Sequence, residues 1–262
     1  MDKWIKILKQ HSVIAVDTET SSLNPLDADL VGISFSYAPN KACYIPLAHK
    51  NIKGLKKETV LKKCWISLQQ SISEDDRIFI IDSNLPSELL NWMYDTSQGL
   101  VTQIQVPKTK ESYQFLLTAL GTLEENINDK SHFIVEDDYL FVYDALPVIK
   151  ECLQHWHSFG SPEDNPQKYL DNIQESFVYV GNDRHWRSIN ASGWSVFGNS
   201  IIWKNFINLL KENAKTNNYE IFNNIFRQTP SICPLPGVAT HLKEGHMTPL
   251  INWTEIWKEI KV

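Results

Sequence analysis

Three consecutive acids stand inside the stretch His132 to Phe141, H-F-I-V-E-D-D-Y-L-F. Phe133, Ile134 and Val135 read as a short buried strand that delivers Glu136, Asp137 and Asp138 at its C-terminal end. In an open α/β sheet that end is where ligands bind, and hard carboxylate oxygens there suit Mg²⁺ or Mn²⁺ carrying a diphosphate. A second acid pair, Asp17 and Glu19, follows the strand Val13-Ile14-Ala15-Val16. Strand alternation places both on one side, where two carboxylates could share a divalent metal. The plain alternatives are a solvated acidic turn for the triplet and, for the pair, residues that only donate a strand to a sheet.

Positioning these groups requires two different kinds of element. Before residue 50 the pattern predicts a short helix, Trp4 to Leu8, and an antiparallel meander of Val13–Val16, Leu30–Tyr37 and Cys43–Pro46, with turns at Asn24-Pro25 and Pro39-Asn40. After Lys63 the texture changes. A helix from Val60 to Ile72, a strand Arg77–Ile81, a helix from Pro86 to Tyr94, a strand Val101–Val106, a helix Thr109–Ile127 and the acidic strand alternate in turn. That alternation predicts βαβ units and a parallel, doubly wound sheet. Further on, Val142–Gln154 reads as a helix with Tyr143, Leu146, Ile149 and Leu153 on one face, Gly160–Pro166 as a loop and Phe177–Val180 as a strand. Ile201–Asn213 and Tyr219–Gln228 read as amphipathic helices, followed by a proline-rich stretch from Cys233 to His241.

At 262 residues the chain is long enough for one large α/β domain or two small ones. Its formal charge of -6 argues against broad nonspecific attraction to nucleic acid and leaves room for a local basic groove. The four cysteines lack the close pairing of a zinc site and no leader of secretory type precedes them, which predicts reduced thiols in a cytoplasm. No apolar run reaches the roughly 18 residues that a membrane span needs. Asn182-Asp183-Arg184-His185-Trp186-Arg187-Ser188 interleaves polar and aromatic groups. Such a mixture suits a sugar, stacked on an indole, and equally a single nucleic-acid strand.

The segments V-I-A-V-D-T-E-T-S-S-L, L-V-G-I-S-F-S and A-C-Y-I-P-L-A-H resemble the start of the 3'-5' exonuclease domain of bacterial DNA polymerase I over residues 3 to 63. The resemblance implies Asp17 and Glu19 as metal-holding carboxylates of the family's first motif. Four carboxylates and two metals there activate water against a terminal phosphodiester. It also implies an Asn-x-x-x-Asp and a later Tyr-x-x-x-Asp. Asn84-Leu85-Pro86-Ser87-Glu88 meets the former with Glu in place of Asp and a proline between, and the latter is not found.

Residues 64 to 262 resemble the nucleotide-sugar-binding half of an A-type-fold glycosyltransferase that lacks its first strand. The resemblance implies that Asp82 and Asp137 contact the nucleotide sugar and that Glu136 and Asp138 hold Mn²⁺ or Mg²⁺. P-L-P-G-V-A-T-H adds His241 to that metal or diphosphate site. Asp183, His185 and Glu244 remain open as candidates for a base near the acceptor.

The expectation is therefore an α/β chain: a mostly parallel transferase-like sheet flanked by helices (64–262) and an N-terminal three-stranded antiparallel exonuclease-like meander (1–63). The expected activity is metal-dependent glycosyl transfer from a nucleotide sugar to a glycan or other acceptor. A 3'-5' exonuclease acting on nucleic acid is the alternative, and a nonenzymatic fusion remnant is the second alternative.

Overall fold

The structure, a computed structural model, describes residues 6–7, 9–11, 15–20, 30–38, 41–46, 57–107, 112–128, 130–166, 176–215, 221–243 and 245–262. The chain divides into two compact units, Met1–Lys57 and Glu58–Val262. Most of the expected Trp4–Leu8 helix and both early turns lie outside the described residues.

The first unit holds a three-stranded antiparallel sheet in the order β1-β2-β3: β1 (Ala15–Thr20), β2 (Leu30–Ala38) and β3 (Lys41–Pro46). These are runs of β-branched and aromatic residues with alternating small or polar ones, the composition that fits a pleated surface. β1 thus carries the acids Asp17 and Glu19 inside the strand rather than after it.

In the second unit, α1 (Lys57–Gln69) leads to β4 (Arg77–Asp82), α2 (Ser87–Thr96) and β5 (Leu100–Gln105). β4 and β5 pair in parallel from Arg77 opposite Leu100 to Asp82 opposite Gln105, so one βαβ unit is present. Then come α3 (Ser112–Asn126), β6 (Ser131–Ile134), β7 (Tyr139–Phe141), α4 (Ala145–His155), β8 (Phe159–Gly160), β9 (Val178–Tyr179), β10 (His185–Ser188) and β11 (Val196–Asn199). The chain closes with α5 (Ser200–Ala214), α6 (Ile221–Phe226), β12 (Ser231–Leu235), β13 (Ala239–His241) and α7 (Trp253–Glu259).

The expected mostly parallel sheet is not what forms. The largest sheet has six strands in the order β6-β11-β8-β12-β10-β9, and within it only β8 and β12 run parallel. β6 does not join β4 and β5; it pairs antiparallel with β11, Ile134 opposite Val196. The alternation of strand and helix is real, but consecutive strands need not share a sheet, and here a partner some sixty residues downstream outcompetes the sequential one. The proline-rich stretch is largely strand: β12 runs into a cis Leu235–Pro236 peptide and then β13, which pairs with β7. Tyr143, expected on the buried face of a helix, precedes α4 and is 75% exposed.

The core of this unit packs α3, α5 and α6 against the mixed sheet. Leu120, Phe159, Val196, Trp203, Leu210, Ile221 and Ile225 are all fully buried. Asn199 caps α5 by accepting from Ile202 N at 3.1 Å, and Asn252 caps α7 by accepting from Glu255 N at 3.2 Å. Lys63 of α1 grips the other end of α7: its Nζ donates to the carbonyls of Trp257 and Ile260 at 2.6 Å each and lies 4.8 Å from the Trp257 ring centroid. A cation on the last carbonyls of a helix is favoured by the dipole as well as by the hydrogen bonds. Among the described residues, no helix is long and apolar enough to cross a membrane.

Gly160 shows how tightly the sheet centre is packed. A Cβ there would lie 2.2 Å from the Phe197 ring and 2.9 Å from the Ile232 carbonyl oxygen. Gly160→Ala is expected to destabilise the protein by about 1–3 kcal/mol, because the ring must leave its rotamer or the strands must part. A urea midpoint unchanged from the parent would contradict that packing.

Candidate functional site

Two places carry enough oxygen donors to be considered. The first is β1. Its register sets Asp17 opposite Ser34 and Glu19 opposite Gly32, and the pairing shifts between Glu19 and Thr20. A bulge of this kind re-aims a strand where it occurs, and bulges are frequent beside active sites. The two acids therefore stand at alternate positions of one strand, directly before a backbone irregularity.

The second place lies in the larger unit, where the turn between β6 and β7 meets β13. His241 Nε2 and Asp138 Oδ2 are 3.0 Å apart, and the His241 ring stacks on Tyr139 with centroids 4.9 Å apart. Glu136 Oε2 accepts from Trp194 N at 3.2 Å, while Glu136 N donates to Ser195 Oγ at 3.1 Å. Glu163, 2% exposed, accepts from His241 N at 3.4 Å, and Asn165 Nδ2 lies 2.8 Å from His246 Nδ1. Sequence-distant segments are thus tied together by polar contacts around a partly buried group of acids and histidines.

Electrostatics follow from that crowding. Burial, then the charge of Asp138, pushes the Glu136 carboxyl up to about 7, against the opposing pull of His241 and the Trp194 hydrogen bond. For His241, burial works downward, but the Asp138 hydrogen bond and charge, with Glu136 and Glu163 behind them, carry it above the ordinary imidazole range. The sign is the same for both groups. The native state holds its protons more tightly than the unfolded chain, so stability is full at low pH and falls as pH rises, for Glu136 between about 4.5 and 7. Glu136→Gln is expected to remove that part of the slope and to gain on the order of 2 kcal/mol relative to the parent at pH 8. Parallel stability profiles of parent and variant from pH 5 to 8 would refute this.

The expected site residues are thereby sorted. Glu136, Asp138 and His241 do converge, yet no group of three His, Cys, Asp or Glu among the described residues has an arrangement that could hold a metal ion. Their polar atoms are instead engaged with each other and with Trp194. Asp137 is exposed, and with Asp138 its charge adds to burial in raising the Cys64 thiol. Asp82 does not join the group: its Oδ1 accepts from Leu85 N and its Oδ2 from Gln103 Nε2, both at 2.7 Å, closing the turn after β4 and linking it to β5. Asp183 and His185 are exposed on the β9–β10 side of the sheet, and Glu244 lies outside the described residues.

Sequence reasoning read Glu163 and Asp164 as loop residues and Arg187 as part of a ligand-facing polar and aromatic stretch, and missed that Arg187 and Asp164 meet. The stretch Gly160–Pro166 reads as a surface loop from its Pro, Asp and Asn, yet residues 161 to 165 are all buried. Arg187 reaches Asp164 Oδ1 from Nε at 2.9 Å and from Nη2 at 2.7 Å, and Pro162 O accepts from Val238 N and Ala239 N. The only signal in the sequence is the presence of two acids near two prolines, which ordinarily means solvent.

The comparisons with known proteins bear on the first place rather than the second. The family described as 3'-5' exonuclease matches residues 1–86. The N-terminal third is similar to 3'-5' exonucleases. DNA polymerase I of Pseudomonas aeruginosa is 46% identical over 48 residues, 18% of this chain and 5% of the relative. That of Rhizobium leguminosarum is 30% identical over 105 residues, 34% of this chain and 10% of the relative. That of Chloroflexus aurantiacus is 48% identical over 44 residues, 17% of this chain and 5% of the relative. The chain thus spans no more than a tenth of the length of these relatives.

Two expectations change. The resemblance to the exonuclease family extends past Lys63: the family match runs through α1 and β4 to Pro86 and so includes Asn84. The expectation of glycosyl transfer from a nucleotide sugar is overturned, because the matches point to 3'-5' exonuclease and DNA polymerase I, and the sheet that should carry the transferase site is mixed.

Proposed function

We propose that this chain carries the opening of a 3'-5' exonuclease and that its activity is divalent-metal-dependent hydrolysis of the terminal phosphodiester of a nucleic-acid strand. The observation that carries this reading is the coincidence of Asp17 and Glu19, two positions apart on β1 and directly before a register shift, with a family match over residues 1–86. Two carboxylates supply hard oxygens, the donor type that suits Mg²⁺ or Mn²⁺. A metal held there would polarise the phosphodiester and lower the pKa of the attacking water.

Asp17 and Glu19 act in this reading as the residues that hold and orient the metal. β2, itself paired with β3, holds β1 in register, so the spacing of the two acids is set by the sheet rather than by a loop. Asn84, within the match, stands just before α2, whose first turn contains Glu88. The overall charge of -6 opposes indiscriminate attraction to the phosphate backbone, so binding is expected to be local and strongly salt-dependent.

The test is direct. The full chain is incubated with a 5'-labelled single strand and Mg²⁺ or Mn²⁺, and stepwise shortening that stops on chelation is expected. A strand left intact under both metals would overturn the reading.

A further inference from the structure

A cleft in the larger unit takes no part in the exonuclease reading. It lies between the C-terminal half of α4 and the turn joining β9 to β10, and encloses about 180 Å³. That is the share of roughly six waters in the liquid, below the range of drug-sized pockets, so an occupant would be small.

Its walls mix aromatic and apolar residues with polar and charged ones. Trp156 caps the end of α4 and is braced by Tyr179, with ring centroids 4.3 Å apart at 89°. Trp186 is buried and is set edge-on against Phe197 at 6.2 Å. Val180, 84% exposed, stands at the same cleft.

The charges at the cleft have one predominant sign. Glu151 and Asp183 line it, and no ion pair among the described residues involves either of them. The cation of the lining, Arg184, has both terminal nitrogens engaged, Nη2 lying 3.3 Å from Asp144 Oδ1 and Nη1 donating to Pro236 O at 3.2 Å, while its buried Nε has no hydrogen-bond partner among the described residues. The C-terminal end of α4 adds the negative pole of its dipole. An anion entering the cleft would meet two carboxylates and a guanidinium that already faces Asp144. A cation would meet two carboxylates outside any ion pair among the described residues and two indoles, side chains of the kinds that recognise organic ammonium and guanidinium groups. The lining thiol of Cys152 is a poor nucleophile, since burial and the Glu151 charge push it up to about 12.

We propose that this cleft binds a small organic cation, an alkylammonium or guanidinium compound, with the charge on Glu151 and Asp183 and the carbon body against Trp156 and Trp186. The cleft belongs to the larger unit alone, its lining running from residue 148 to residue 186.

Agmatine, which carries both cation types, serves as the probe. It is titrated into the full chain at low ionic strength and followed by the indole N–H resonances, with that of Trp156 assigned from Trp156→Phe. A saturable shift of that resonance is expected. Glu151→Gln and Asp183→Asn should each weaken binding by about tenfold, which corresponds to about 1.4 kcal/mol, with an unchanged far-UV circular dichroism spectrum. Four results would each overturn the proposal: no saturable shift up to about 10 mM agmatine, equal binding by neutral N-butylurea, binding of inorganic phosphate at the same resonance, or affinity unaffected by both charge removals. The nuclease assay is expected to be indifferent to all these variants, so failure of one reading leaves the other standing.

Discussion

Asp17→Ala is expected to reduce the rate of metal-dependent strand shortening by on the order of 10²-fold or more. The residue is one of two acids that β1 presents at alternate positions, and in two-metal chemistry each carboxylate fixes where the cation, and with it the attacking water, can sit. Loss of groups that merely orient a metal ligand typically costs 10- to 100-fold, so loss of a ligand itself should cost at least as much. Glu19→Gln should act in the same direction. The double variant should be little worse than the worse single one if, as proposed, both residues serve one cation. Raising Mn²⁺ should partly restore Glu19→Gln, which keeps one oxygen donor, and restore Asp17→Ala less. The informative controls are Glu136→Gln and Asp138→Asn, which belong to the acid–histidine group of the other unit and are expected to leave cleavage unchanged. A rate in Asp17→Ala equal to that of the parent would remove Asp17 from the chemistry. A comparable loss in Asp138→Asn would shift attention to the second unit.

Breaking the buried ion pair should give the largest effect on stability. Arg187 is 7% exposed and Asp164 1% exposed, and the guanidinium donates twice to the same carboxylate oxygen while Cys233 Sγ lies 3.6 Å from it. Arg187→Met leaves Asp164 buried without its cation, a change that typically costs 3–5 kcal/mol. For a chain of this size that corresponds to a fall in Tm of roughly 10 °C. Removing both charges, as in Arg187→Met with Asp164→Leu, should recover a substantial part of the loss, since the penalty lies in the uncompensated carboxylate rather than in the missing attraction. If Arg187→Met alone lost less than about 1 kcal/mol in urea titrations, the pair would have to be solvated, contrary to its burial.

That same pair marks where the sequence misleads. The run Ser161-Pro162-Glu163-Asp164-Asn165-Pro166 has the composition of a solvent loop, and nothing local distinguishes it from one. What buries it is the arrival of β10 with Arg187 and of the 237–239 segment, whose amides donate to Pro162 O. A buried charge is legible only together with its partner, and the partner is more than twenty residues away.

The acidic stretch from Glu136 to Asp138 had a mixed fate. Its convergence with His241 is visible in the structure at 3.0 Å, across a sequence separation of 103 residues. The glycosyl transfer that would have needed those acids to carry a diphosphate is overturned by the family match, and among the described residues no group of three such side chains is arranged to hold a metal ion. Acid density in sequence says nothing about whether the oxygens will face one cation or be consumed by backbone amides and a neighbouring imidazole. Asp82 teaches the same point, since both of its oxygens close local structure.

Local order was legible from residues alone wherever a period of two or of 3.6 runs unbroken. The antiparallel meander with Asp17 and Glu19, the βαβ unit around β4, α2 and β5, and the helices α3 and α5 all follow from such patterns. The exonuclease-like motif belongs to this class, because its two acids are held two positions apart by a single strand. Tertiary structure alone decided which strands became neighbours, that β6 would pair with β11 rather than extend a parallel sheet, and that Glu163 and Asp164 would be buried. The reason is physical: periodicity is a property of adjacent residues, whereas strand pairing and burial depend on which distant segments compete for the same hydrogen bonds and the same apolar surface.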